Sequence, residues 1–141
     1  MNTPAHQPIL DPEFTIERFE AADIDPDRFD HEAHVNVAWL YVREYPLTEA
    51  IAKFDDGLKR LVKKLGAEGK YHATLTWFFM LSIAERAEES ESWQVFKQRN
   101  PDLVAGSKKM LSRYYSDDHL FSKRARERFV LPDRLASESE A

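Results

Sequence analysis

Cysteine is absent from this 141-residue chain, and glycine occurs only four times, at positions 57, 66, 69 and 106. Without cysteine there is no disulfide framework, thiolate zinc site, iron–sulfur cluster or cysteine nucleophile. With so little glycine, neither a G-x-G-x-x-G motif nor a P-loop occurs. Apolar runs stay shorter than the ~18 residues of a membrane span. The N-terminal residues show no basic start followed by an apolar stretch, so we expect no signal peptide and a cytoplasmic location.

The remaining composition, 43% hydrophobic and 32% charged, is typical of one globular domain. The charge is uneven: residues 1–32 carry nine acidic and two basic side chains, whereas the rest of the chain sums to +2. The basic cluster at Lys123, Arg124, Arg126 and Arg128 is short and lacks interleaved aromatics, which favours a solvated helix face. We therefore expect neither a nucleic-acid partner nor a membrane partner.

Apolar residues spaced three and four apart predict an all-α fold, a compact bundle of five or six helices in a single domain. Residues 14–19 could form a short extended piece or a helical turn, and Asp25-Pro26 is a helix-start signal. Residues 1–13 are expected to be a loose acidic, Pro-rich leader, 14–133 the helical domain and 134–141 a loose tail. The expected helices cover residues 31–45, 48–65, 71–89, 93–98, 103–115 and 116–128.

Capping residues mark several of these helix ends. Asp30, Thr48, Ser92 and Asp102 are expected N-caps, because their side-chain oxygens can accept from first-turn N–H groups. Gly66 is expected to end the second helix in a left-handed conformation.

Two segments share a pattern: HVNVAWLYV at 34–42 and HATLTWFFM at 72–80. Each reads His, four residues, Trp and three apolar residues. We interpret the two segments as buried helices that require similar apolar residues for packing. In an up-down-up bundle these two helices are parallel, so their N-terminal ends lie at the same end of the molecule. His31, His34 and His72 would then come together there.

The three histidines suggest a metal site. His31 and His34 are three residues apart and therefore neighbours on one helix face. With His72 they could present three imidazole nitrogens and leave one position open for Zn²⁺, Fe²⁺ or Mn²⁺. Glu32 could add a carboxylate with a catalytic role, although its direction lies about 100° from His31 around the helix.

A metal-free pocket is the second interpretation of the same residues. Two helix N-termini with Lys70 nearby would suit a carboxylate or phosphate. Tyr71 and Thr74 could supply further polar groups for a ligand. The third interpretation is that the histidines only pack or cap helices.

The segments FDHEAHVNVAWLY, KYHATLTW, NPDL and RYY, with the closing ARERFVLPD, resemble a set of short, uncharacterised, all-helical bacterial proteins. The resemblance covers about residues 14–133 and implies a single helical domain. It implies no activity, cofactor or catalytic residue.

Two classes of function follow from the residues. The first is a small-molecule or metal-binding protein, in its most concrete form a metal-assisted enzyme with His31, His34 and His72 as ligands. The second is a non-enzymatic interaction or dimerisation module, in which an apolar helix face joins a partner or a second copy of the chain.

Overall fold

The computed structural model describes residues 14–134, and within this range it shows nine α-helices, the two 3-10 turns Pro26–Arg28 and Glu68–Lys70, and no strand. The predicted all-α fold is therefore confirmed, with more and shorter helices than the five or six expected. The leader at 1–13 and residues 135–141 of the tail lie outside the described residues. The helices are α1 Ile16–Glu20, α2 His31–Glu44, α3 Leu47–Lys64, α4 Ala73–Arg86, α5 Trp93–Arg99, α6 Pro101–Val104, α7 Ser107–Ser112, α8 Asp117–Leu120 and α9 Lys123–Glu127.

Local signals account for the ends of α2. The Asp30 side chain accepts from a first-turn N–H at 2.9 Å, as expected of an N-cap. The helix ends at Glu44, and its C-cap Tyr45 is extended because the following Pro46 disfavours the helical conformation there. The expected cap at Thr48 is wrong: Leu47 already belongs to α3, and Pro46 takes the cap position without a side-chain hydrogen bond.

The C-terminal third is more divided than expected. Asp102 does not cap a helix at 103–115; it lies inside α6 and pairs with Arg86 at 2.8 Å. Ser116 caps α8, and Ser122 then caps α9 by accepting from the N–H of Ala125 at 3.1 Å. A second cap inside the expected segment 116–128 thus starts a new helix in a new direction.

The hydrophobic core lies among α2, α3 and α4, which pack pairwise on one another, with α1 against α2 and α3 and with α9 against α4. None of the described helices is long and apolar enough to cross a membrane. Fully buried side chains from α1 to α4 include Phe19, Val35, Val37, Tyr41, Phe54, Met80 and Ile83.

The chain after α9 folds back onto the body. Tyr115 donates its hydroxyl hydrogen to the carbonyl oxygen of Val130 at 2.8 Å. The backbone N–H of Arg134 donates to the carbonyl oxygen of Tyr114 at 2.9 Å. The end of the described chain is therefore attached to α7 and the turn that follows it.

Gly57 in α3 allows a close approach between α1 and α3. The buried ring of Phe19 from α1 stacks on Phe54 with ring centroids 5.3 Å apart. A Cβ at Gly57 would lie 2.4 Å from Cε2 of that Phe19 ring. The absence of a side chain at position 57 therefore allows the Phe19 ring, and with it α1, to pack directly against α3.

We expect Gly57→Ala to destabilise the protein by about 1–3 kcal/mol, since the overpacked ring has no free space to move into. This outweighs the helix propensity that alanine adds. Gly69→Ala is the matched control, because no atom lies within 4 Å of its added Cβ. Urea unfolding measures both variants, and a Gly57→Ala protein as stable as the parent would contradict the close packing.

Candidate ligand-binding cavity

A cavity of about 340 Å³ lies where the first turns of α2 and α4 meet the C-terminal half of α3. Its walls are mainly apolar, and His31, His34 and His72 all contribute to its lining. The apolar lining consists of Pro26, Phe29, Leu58, Leu61, Val62, Leu65, Ala67, Leu75 and Phe79.

His72 is the N-cap of α4 and uses both ring nitrogens. Its Nδ1 accepts from the N–H of Leu75 at 3.2 Å, and its Nε2 donates to the carbonyl oxygen of Leu120 at 2.7 Å. These partners assign the neutral Nε2–H tautomer. Burial lowers the pKa of His72, which favours the same neutral form. The ring therefore joins the start of α4 to α8.

His31 uses one ring nitrogen. Its Nε2 lies 2.9 Å from the carbonyl oxygen of Leu103, so this nitrogen carries the hydrogen and donates it. The ring also meets Phe79 edge to face, with centroids 5.0 Å apart. His31 thus attaches the start of α2 to α6, and its Nδ1 remains without a hydrogen-bond partner among residues 14–134.

The ring of His34 has no hydrogen-bond partner within the described part of the chain. Its ring lies between aromatic rings, with centroids 5.2 Å from Phe54 and 5.8 Å from Phe29. Burial, reinforced by the nearby His31, lowers the pKa of His34 to about 4. At neutral pH the ring is therefore uncharged and offers one donor and one acceptor at the cavity wall.

Lys70 and Tyr71 also line the cavity, as the interpretation of a metal-free pocket expected. The Tyr71 hydroxyl donates to a carboxylate oxygen of Asp55, and this contact, together with burial, raises the pKa of Tyr71. The Tyr71 hydroxyl therefore already has a hydrogen-bond partner. The Lys70 side chain makes no ion pair or hydrogen bond with residues 14–134.

Two predicted site residues lie elsewhere. Glu32 does not line the cavity, because successive helix positions point about 100° apart; its carboxylate pairs with Lys97 at 2.7 Å. Thr74 is fully buried, and its hydroxyl lies 2.8 Å from the carbonyl oxygen of Ala125 and 3.1 Å from the N–H of Val130. The expected ligand role of Thr74 is therefore replaced by a structural one, the attachment of the C-terminal segment.

The sequence predicts no site residue on α3, yet Val62 and the C-cap residue Leu65 line the cavity. The apolar spacing of Leu58, Leu61, Val62 and Leu65 is readable from the sequence. That Leu65 remains 40% exposed, so that the apolar face extends beyond the core, is seen only in the structure.

Residues 14–134 include no group of three or more His, Cys, Asp or Glu side chains that could hold a metal ion. The hydrogen bonds explain this result, since His72 has no free nitrogen and would have to leave Leu75 or Leu120 to become a ligand. The metal site with His31, His34 and His72 stays a prediction that this geometry does not favour.

No protein-family model, curated protein or solved structure shows a significant match to this chain. The cavity and its side chains are therefore the features of this chain that bear on its function.

We expect His34 to make the folded protein less stable in acid. The folded-state pKa of about 4 lies below the unfolded value of 6.5, so the stabilisation is complete above pH 6.5 and is lost as the pH falls toward 4. This linkage removes about 2 kcal/mol from the free energy of unfolding between pH 7 and pH 5.

Urea unfolding of the parent and of His34→Gln at both pH values measures this contribution, because glutamine keeps a donor and an acceptor without titrating. Asn36→Gln, a change on the same helix that alters no titratable group, is the control and should keep the parental pH dependence. If His34→Gln loses as much stability as the parent over this range, His34 does not have the lowered pKa.

Proposed function

We propose that this protein binds a small organic molecule in the cavity between α2, α3 and α4. The observation that carries the proposal is His34, a neutral imidazole at the cavity wall with no hydrogen-bond partner in residues 14–134. The ring is partly exposed, so water in the cavity can bond to it, and a ligand that displaces this water has to replace the hydrogen bond. A hydroxyl or carbonyl group on a ligand would supply that partner.

The apolar walls support the same function. A cavity of about 340 Å³ falls within the roughly 300–1,000 Å³ of small-molecule sites, which combine apolar lining with a few placed polar groups. Leu65 and Leu75 line the space without being fully buried, so a bound molecule would remove further apolar area from water. Each square ångström so removed contributes about 25 cal/mol to the affinity.

The neighbouring histidines support a preformed site. His31 and His72 are held by Leu103 and Leu120 through bonds of 2.9 Å and 2.7 Å. Because these contacts fix the first turns of α2 and α4, the position of His34 relative to the apolar walls is set before a ligand arrives. A preformed site avoids part of the ordering cost of binding.

Titration of the protein with 1-octanol, followed by backbone amide NMR shifts, tests the proposal. We expect saturable shifts in residues 31–34, 58–65 and 71–79. Ala67→Phe should weaken binding at least tenfold, because its ring would occupy space that Ala67 now borders. Ala52→Phe is the matched control, since Ala52 is an exposed α3 residue outside the cavity lining.

Shifts that do not saturate, or binding that Ala67→Phe and Ala52→Phe weaken equally, would contradict a ligand site in this cavity.

A further inference from the structure

Lys70 is the only Lys, Arg, Asp or Glu residue among those described as lining the cavity. We propose that the ligand is a monocarboxylate, with its apolar body inside the cavity and its carboxylate at Lys70. This inference rests on the proposed function and names the chemical class of the ligand.

The Lys70 ammonium group has no partner in residues 14–134. Lys70 is exposed and ends the single 3-10 turn Glu68–Lys70 between α3 and α4. The carboxylate of Asp55, which receives the Tyr71 hydroxyl, is itself paired with Lys59 at 2.9 Å. Glu68 shares the turn with Lys70 but does not line the cavity. The positive charge at the cavity is therefore not balanced by a carboxylate in its lining.

The orientation of α4 adds to this positive charge. This helix has 14 residues, and its cap His72 and the residues Leu75 and Thr76 line the cavity. The N-terminal end of a helix carries a partial positive charge of about half an elementary charge. At α2 the Asp30 carboxylate caps that end and offsets its charge, whereas the first turn of α4 holds no acidic residue and favours an anion.

The single lysine favours one negative charge over two. A phosphate monoester is close to a dianion at neutral pH. Arg126 has its guanidinium 3.4 Å from the carbonyl oxygen of Gly69 and does not line the cavity. A dianion would therefore bring a second charge beside apolar walls without a lining cation to match it, which is costly.

The test compares three ligands that share one alkyl chain: octanoate, 1-octanol and octyl phosphate, titrated calorimetrically at pH 7.4 and 50 mM NaCl. We expect octanoate to bind about tenfold more tightly than 1-octanol, since an exposed ion pair and the end of α4 each add a modest attraction. Lys70→Met should reduce this ratio of affinities to about threefold, because the helix end remains. The preference should also shrink at 500 mM NaCl, because salt screens exposed charges.

Lys63→Met is the matched control, since Lys63 is an exposed α3 lysine outside the cavity lining. It should keep the preference for octanoate. Equal affinities for octanoate and 1-octanol would overturn the carboxylate inference while the proposed function stands. Tighter binding of octyl phosphate than of octanoate would overturn the assignment of a single charge. Binding of none of the three would overturn the proposed function and the inference together.

Discussion

Both ring nitrogens of His72 are bound to backbone groups, and the arrangement of the cavity depends on these two hydrogen bonds. One nitrogen accepts from the N–H of Leu75 and so begins α4; the other donates to the carbonyl oxygen of Leu120 and attaches α8. The C-terminal helices and the central helix are thereby joined at the cavity wall. Because a ring with both nitrogens occupied is not available as a metal ligand, this constraint also favours an organic ligand over a metal ion.

The cavity exists because the apolar face of α3 is longer than the core that covers it. Leu61 is 1% exposed within the core, whereas Leu65, one turn further, is 40% exposed. The first turn of α2 contributes His34 to the same cavity lining. The neutral His34 ring gives that space one donor and one acceptor without a partner in residues 14–134.

Local signals predicted the all-α class and some helix ends, and distant contacts account for most of what was missed. Asp30 and Pro46 mark α2 through neighbours within a few residues, so their effect is readable from the sequence. Thr74 and His72 find their partners about 50 residues away, in Ala125 and Leu120, which periodicity cannot reveal. The shared pattern at 34–42 and 72–80 illustrates the limit: His34 lies inside a helix while His72 caps one, and Trp39 is 3% exposed while Trp77 is 38% exposed.

His72 and His34 have different roles at the cavity, and nitrogen-15 NMR of the imidazole rings at pH 7 distinguishes them. We expect His72 to be a fixed Nε2–H tautomer whose nitrogen shifts do not change when 1-octanol is added. The His34 ring should be neutral, and its nitrogen shifts should move as the ligand saturates the cavity. A single stoichiometric step in which Zn²⁺ shifts the ring nitrogens of His31, His34 and His72 together would show instead that the three rings form a metal site.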